Sequence, residues 1–154
     1  MPILSVTYEF IAYRHDAPPI TDEEFLAPLA LAPGEVEAAW SWKERWGGAG
    51  VRIVTARSEH PVADAEFDRW AADASYAVVR FLDNRPAGAF DRLRAAGLVN
   101  IHLRTDVVYV GDFPIVDWPD ELYAAVRRHG IGFGETWELP EEHDPDEPSV
   151  VTNG

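Results

Sequence analysis

The sequence predicts an α+β fold: a mainly antiparallel sheet with helices packed on one face. Residues 5–14 alternate, with Val6, Tyr8, Phe10 and Ala12 on one side and Thr7, Glu9, Ile11 and Tyr13 on the other, the period of a strand. Residues 64–82 set Phe67, Trp70, Ala71, Ala74, Val78, Phe81 and Leu82 at the spacing of a buried helical stripe. The order is then strand, helix, two strands, a long helix with a short companion, a strand or strand pair, helix and strand, for which a ferredoxin-like or split βαβ variant is the simplest template.

Each element has a local cause. After the first strand, Thr21-Asp22-Glu23-Glu24 forms a capping box, in which the Thr hydroxyl takes one orphan N–H and Glu24 reaches back to another. A helix over residues 22–31 follows, with Pro28 able to end it early. Pro33-Gly34 turns the chain into an extended stretch over residues 36–46, and the glycine-rich residues 47–50 separate it from an alternating strand at 51–57, a hairpin pattern. Asp64 reads as the N-cap of the long helix, and Asp64, Glu66 and Asp68 suit the positive end of its dipole. A break at 84–88 gives way to a helical piece at 89–96 stopped by Gly97. Residues 99–104 form a strand that resumes at 107–110, and Asp117-Trp118-Pro119-Asp120-Glu121 opens a last helix that leaves through Arg127-Arg128-His129-Gly130. Ile131, Phe133, Trp137 and Leu139 close the pattern as a final strand.

The 154 residues fit one domain, assigned to 1–139. Residues 140–154 hold three prolines, five acids and no lysine or arginine, a composition from which an acidic, Pro-rich flexible tail is expected. The formal charge is −14, and without those five acids it is still −9. Such a surface opposes nucleic-acid backbones, which need clustered cations. The chain has no cysteine, which removes disulfides, thiolate zinc sites and a cysteine nucleophile. Neither a basic leader nor an apolar run long enough for a bilayer is evident, so a cytoplasmic location is the default expectation and no membrane association is expected.

The first strand, the acid-capped helix leading to Leu31-Ala32-Pro33-Gly34, the Trp40-Ser41-Trp42 segment, the long helix and the closing Pro119-Asp120-Glu121-Leu122 and Arg128-His129-Gly130-Ile131 resemble an uncharacterised bacterial family of small single-domain proteins, catalogued only as a domain of unknown function. The resemblance runs to Leu139 and implies a fold without implying a reaction. The acidic tail and the glycines at 47–50 depart from that pattern. In class, a small, acidic, cysteine-free chain is also similar to bacterial immunity proteins, which neutralise toxins by direct binding.

No catalytic constellation emerges. The five histidines are dispersed, and zinc needs three or four converging ligands, so no metal or other cofactor is expected. Gly130, Gly132 and Gly134 follow a helix and precede a strand, the reverse of a dinucleotide-binding loop; close backbone approach or a bulge in the last strand explains them better. The serines lack a G-x-S-x-G elbow. His102, on the polar side of its strand with Asp106 nearby, marks a candidate cleft between sheet and helices. Trp40, Trp42 and Trp46 share one strand parity, and with Glu44 they form the candidate partner-binding segment. The resulting expectation is a non-enzymatic, acidic immunity or antitoxin protein that occludes a basic toxin-like protein, such as a nuclease. The alternative is a small-molecule-binding or enzymatic domain, and an exposed sheet edge leaves homodimerisation open.

Overall fold

The computed structural model describes residues 3–14, 19–41, 47–111 and 117–139. Its elements are β1 (Ile3–Tyr13), α1 (Asp22–Leu29), β2 (Ala38–Ser41), β3 (Gly48–Val62), α2 (Asp64–Asp83), α3 (Ala89–Ala95), β4 (Val99–Tyr109), α4 (Asp120–Arg128) and β5 (Gly132–Glu138). The five strands form one sheet in the order β2-β3-β1-β4-β5. β1 lies at its centre, antiparallel to both β3 and β4. These two therefore run parallel to each other with β1 between them, joined through α2 and α3: a split βαβ unit. β2 and β3 form the expected antiparallel pair, while β4 and β5 pair in parallel across α4, as a helical crossover requires.

The helices cover one side of this sheet. Phe10 stacks on Phe25 of α1 at 6.1 Å and meets Phe81 of α2 and Phe90 of α3 at 6.0 and 5.7 Å. The Tyr8 hydroxyl donates to the carbonyl of Ala71 in α2 at 3.3 Å, and burial pushes its pKa upward. The neighbouring Leu103 and Val107 of β4 and Val51 of β3 complete the layer with Leu82, Leu93 and Leu122. Two arginines pin the ends of the helices. Arg85 donates to the carbonyls of Phe81 and Leu29 and pairs with Glu35; Arg14 binds Glu24 and the carbonyls of Pro19 and Ala96.

Four expectations are corrected in detail. α1 stops at Leu29, with Pro28 in its last turn and Ala30 in the left-handed region at φ 49°. The N-cap of α2 is Ala63, and Asp64 is its first helical residue. β3 begins at Gly48, not after the glycines, because Gly50 lies beneath Trp40: a Cβ there would come within 2.6 Å of the indole. β4 is continuous, because Arg104 and Asp106 face away from the core while Thr105 is buried in it.

Candidate functional site

The second face of the sheet receives no helix among the described residues. Strand register lays its side chains in cross-strand rows. One row runs Trp40, Gly50, Ile11, His102, Gly132; the next runs Ala38, Arg52, Glu9, Arg104, Gly134; a third holds Thr55, Thr7, Asp106 and Thr136. Ile11 and Glu9 are nevertheless buried. Arg104 donates to Glu9 at 2.9 Å, and the ring of His102 stacks on Tyr13 at 5.7 Å. That stacking follows from an extra residue in β4: the register shifts between Ile11 and Tyr13, and Asn100 takes φ 52°, the conformation of a bulge. The Asn100 carbonyl accepts from His102 Nδ1 at 2.8 Å, which fixes the proton on that nitrogen. Asp106 accepts from the Thr136 hydroxyl at 2.8 Å.

His102 and Asp106 thus lie on this open face, two rows apart, and not in a cleft between sheet and helices; that side is filled by the core. Trp40, at the other end of its row, is half-buried, flat against Gly50, with the Arg52 guanidinium 6.0 Å from its ring. Trp42, Glu44 and Trp46 lie outside the described residues. On the helix side, Thr21, Asp22, Phe25, Leu26, Ala39, Trp40 and Ala49 line a hollow of about 250 Å³. Among the described residues no group of three histidines, aspartates or glutamates is placed to hold a metal ion, and no helix is long and apolar enough to cross a membrane.

A second surface lies where α4 meets β5, and the sequence reading did not single it out. Trp118 is buried just before α4 and contacts Tyr8, Phe67, Phe133 and Trp137 with ring centroids 5.9 to 6.4 Å apart. Its indole N–H donates to Glu135 of β5 at 2.7 Å. Tyr123 lies on Phe133 at 5.3 Å and keeps 38% of its surface exposed. Burial, and then the negative charges of Glu135, Asp117 and Asp120, push the Tyr123 hydroxyl's pKa upward. The result is an exposed aromatic ring set among three carboxylates, beside β5, which among the described strands pairs with β4 alone. Sequence alone offers each half, the acidic first turn of α4 and the alternation of β5, and gives no sign that the fold joins them.

These features define the chain as an α+β protein whose sheet has one face covered by helices and one that receives no helix among the described residues. No family model, curated protein or solved structure matches it.

Proposed function

We propose that the chain is an acidic protein-binding protein of the immunity or antitoxin type, which occludes a basic, toxin-like protein through the α4–β5 surface. The observation that carries this reading is Tyr123, exposed on Phe133 and ringed by Asp117, Asp120 and Glu135. A partly exposed aromatic ring supplies the anchor that binding hot spots use, and surrounding carboxylates steer and orient a cationic partner. The net charge of −14 extends the same attraction beyond the contact. The Trp40 end suits such a partner less well, since its described indole lies flat on the sheet beside a cation, Arg52. A second copy of the chain is also a poorer fit at this edge, because antiparallel pairing of two β5 strands brings Glu135 and Glu138 of both copies to one seam.

The test is capture of proteins from the native host's lysate on the immobilised chain, at low and high salt, with wild type and a D117N/D120N/E135Q variant. These amides keep the shape and leave position 135 able to accept from Trp118. The expected result is one basic protein held by wild type at low salt, released by salt and lost with the variant, because exposed charges are screened beyond about 8–10 Å at physiological ionic strength. Retention of the same protein by wild type and variant alike, indifferent to salt, refutes the reading.

A further inference from the structure

The chemistry of the α4–β5 surface narrows which side chain of a basic partner it takes, a step that rests on the protein-binding reading above. Elsewhere the fold gives carboxylates cations of its own: Glu24 has Arg14, Glu35 has Arg85, Glu9 has Arg104, Asp91 has Arg94, and Asp83 has Arg128 and His129. Asp117, Asp120 and Glu135 are all exposed, and among the described residues none of them is paired with a cation. Glu135 is nevertheless held in place. Its Oε1 accepts from the buried Trp118 indole at 2.7 Å, and its second oxygen accepts from no described residue.

Between these acids stands a ring. Tyr123 meets Phe133 with centroids 5.3 Å apart and planes inclined at 58°, so Phe133 does not stack over a whole face, and 38% of Tyr123 stays exposed. Asp120 lies three residues earlier on α4, and Glu135 lies two residues beyond Phe133 on β5, spacings that place side chains on a shared surface. Burial, and then the charges of Glu135, Asp117 and Asp120, hold the Tyr123 hydroxyl in its protonated form; the same negative field draws in a cation. The chain does not supply one itself, since Arg127, one turn later on α4, makes neither an ion pair nor a contact with the Tyr123 ring among the described residues.

The arrangement also selects among cations. Among the described residues these acids are not gathered closely enough to hold a metal ion; they stand around a flat ring instead. A lysine ammonium is a compact, strongly hydrated point charge, whereas a guanidinium is planar and more weakly hydrated, stacks on aromatic faces and carries five donors around its edge. We propose that the α4–β5 surface is an arginine-binding site, in which an arginine side chain of the basic partner lays its guanidinium on the Tyr123 ring and donates from its edge to Asp120 and to the second oxygen of Glu135. Trp118 is the positioning residue for Glu135, and Asp117 adds attraction at longer range.

NMR titrations of the full chain at constant ionic strength test this with three probes: N-acetylarginine amide, N-acetyllysine amide, and N-acetylcitrulline amide, which keeps the planar head and loses the charge. The arginine probe is expected to shift the Tyr123 and Phe133 ring signals and the Asp120 and Glu135 amides, with a dissociation constant on the order of 10 mM. The lysine probe is expected to bind at least about threefold more weakly and the citrulline probe at least about tenfold, the scales of one exposed cation–π contact and of charge-assisted hydrogen bonds. Tyr123→Phe, which keeps the ring, is expected to bind arginine as wild type does, and Tyr123→Leu about threefold more weakly, both compared at matched unfolding midpoints. Equal binding of the arginine and lysine probes, arginine binding unchanged in Tyr123→Leu, or no Tyr123 shift at about 50 mM arginine probe would each overturn the assignment. The probes need no partner, so the two readings fail separately. Capture lost in D117N/D120N/E135Q while the two basic probes bind alike overturns the arginine site and leaves the protein-binding reading standing; selective arginine binding with capture unchanged by the amides upholds the site and refutes that reading.

Discussion

Phe10 and Ile11 are neighbours in β1, and neither has measurable exposure. Phe10 is enclosed by rings carried on three helices, whereas Ile11 points to the face that receives no described helix, in register between Gly50 and His102. Helices bring a fixed surface that cannot follow a lost side chain inward. A face without such helices offers less fixed surface around a lost side chain. Equal burial therefore conceals two kinds of interior, one walled by helices and one on the face that receives no described helix.

That comparison predicts unequal costs for similar truncations. Phe10→Ala is expected to lower the unfolding free energy by about 4 kcal/mol, within the usual range for a large aromatic in a rigid core. Ile11→Ala is expected to cost about 2 kcal/mol, at the low end for a buried aliphatic, because its surroundings can collapse. Urea titrations of both variants check this, and costs in the reverse order would break the distinction between the faces.

Arg85→Ala belongs with the helix face. It strips donors from the carbonyls of Leu29 and Phe81 and leaves Glu35 without its guanidinium, so a loss of about 3 kcal/mol is expected from the same titration. A loss within 0.5 kcal/mol, the size of an ordinary surface change, would mean that α1 and α2 are not pinned there. Gly50→Ala sharpens the picture on the open face. The new methyl collides with the Trp40 ring, and because that ring lies at the sheet margin it is expected to swing outward for about 1 kcal/mol. A red shift in fluorescence, absent when Trp40→Phe is added, reports the movement; unchanged emission would place the indole elsewhere.

The smallest effect concerns acid. Arg14, followed by the Thr21 backbone, holds Glu24 down from an ordinary 4.5 to about 2. A depressed carboxylate stabilises the fold fully above its unfolded pKa, and that contribution is lost as pH falls through the folded one. Glu24→Gln, which preserves a capping-box acceptor, is therefore expected to flatten the stability profile between about pH 4.5 and 2. A variant whose acid limb superimposes on that of wild type would show that the Arg14 contact is not made in solution.

How much of this was legible in advance differs between the faces for the same reason. The alternation of β1, the stripe of α2 and the box at Thr21 and Glu24 are local patterns, and the structure keeps all three. The alternation does not say which side the helices take, because Ile11 and Tyr13 are nearly as apolar as Phe10 and Ala12. Arg104 and Asp106 looked like an interruption of β4 only because an uncovered sheet face tolerates charge. Glycines at 48 and 50 looked like a loop because a sequence cannot show that an indole needs the missing Cβ. The α4–β5 surface depends on a parallel pairing across a crossover, and Tyr123 and Glu135 meet only once the sheet order is known.

The most direct test of the central claim is hydrogen–deuterium exchange on the chain alone and in complex with the basic protein it captures. The account predicts new protection at residues 120–138, covering α4 and β5, with β2 and the start of β3 unchanged. Protection confined to residues 38–52, with α4 and β5 exchanging as before, would contradict it and return the binding surface to the tryptophan-bearing end of the sheet.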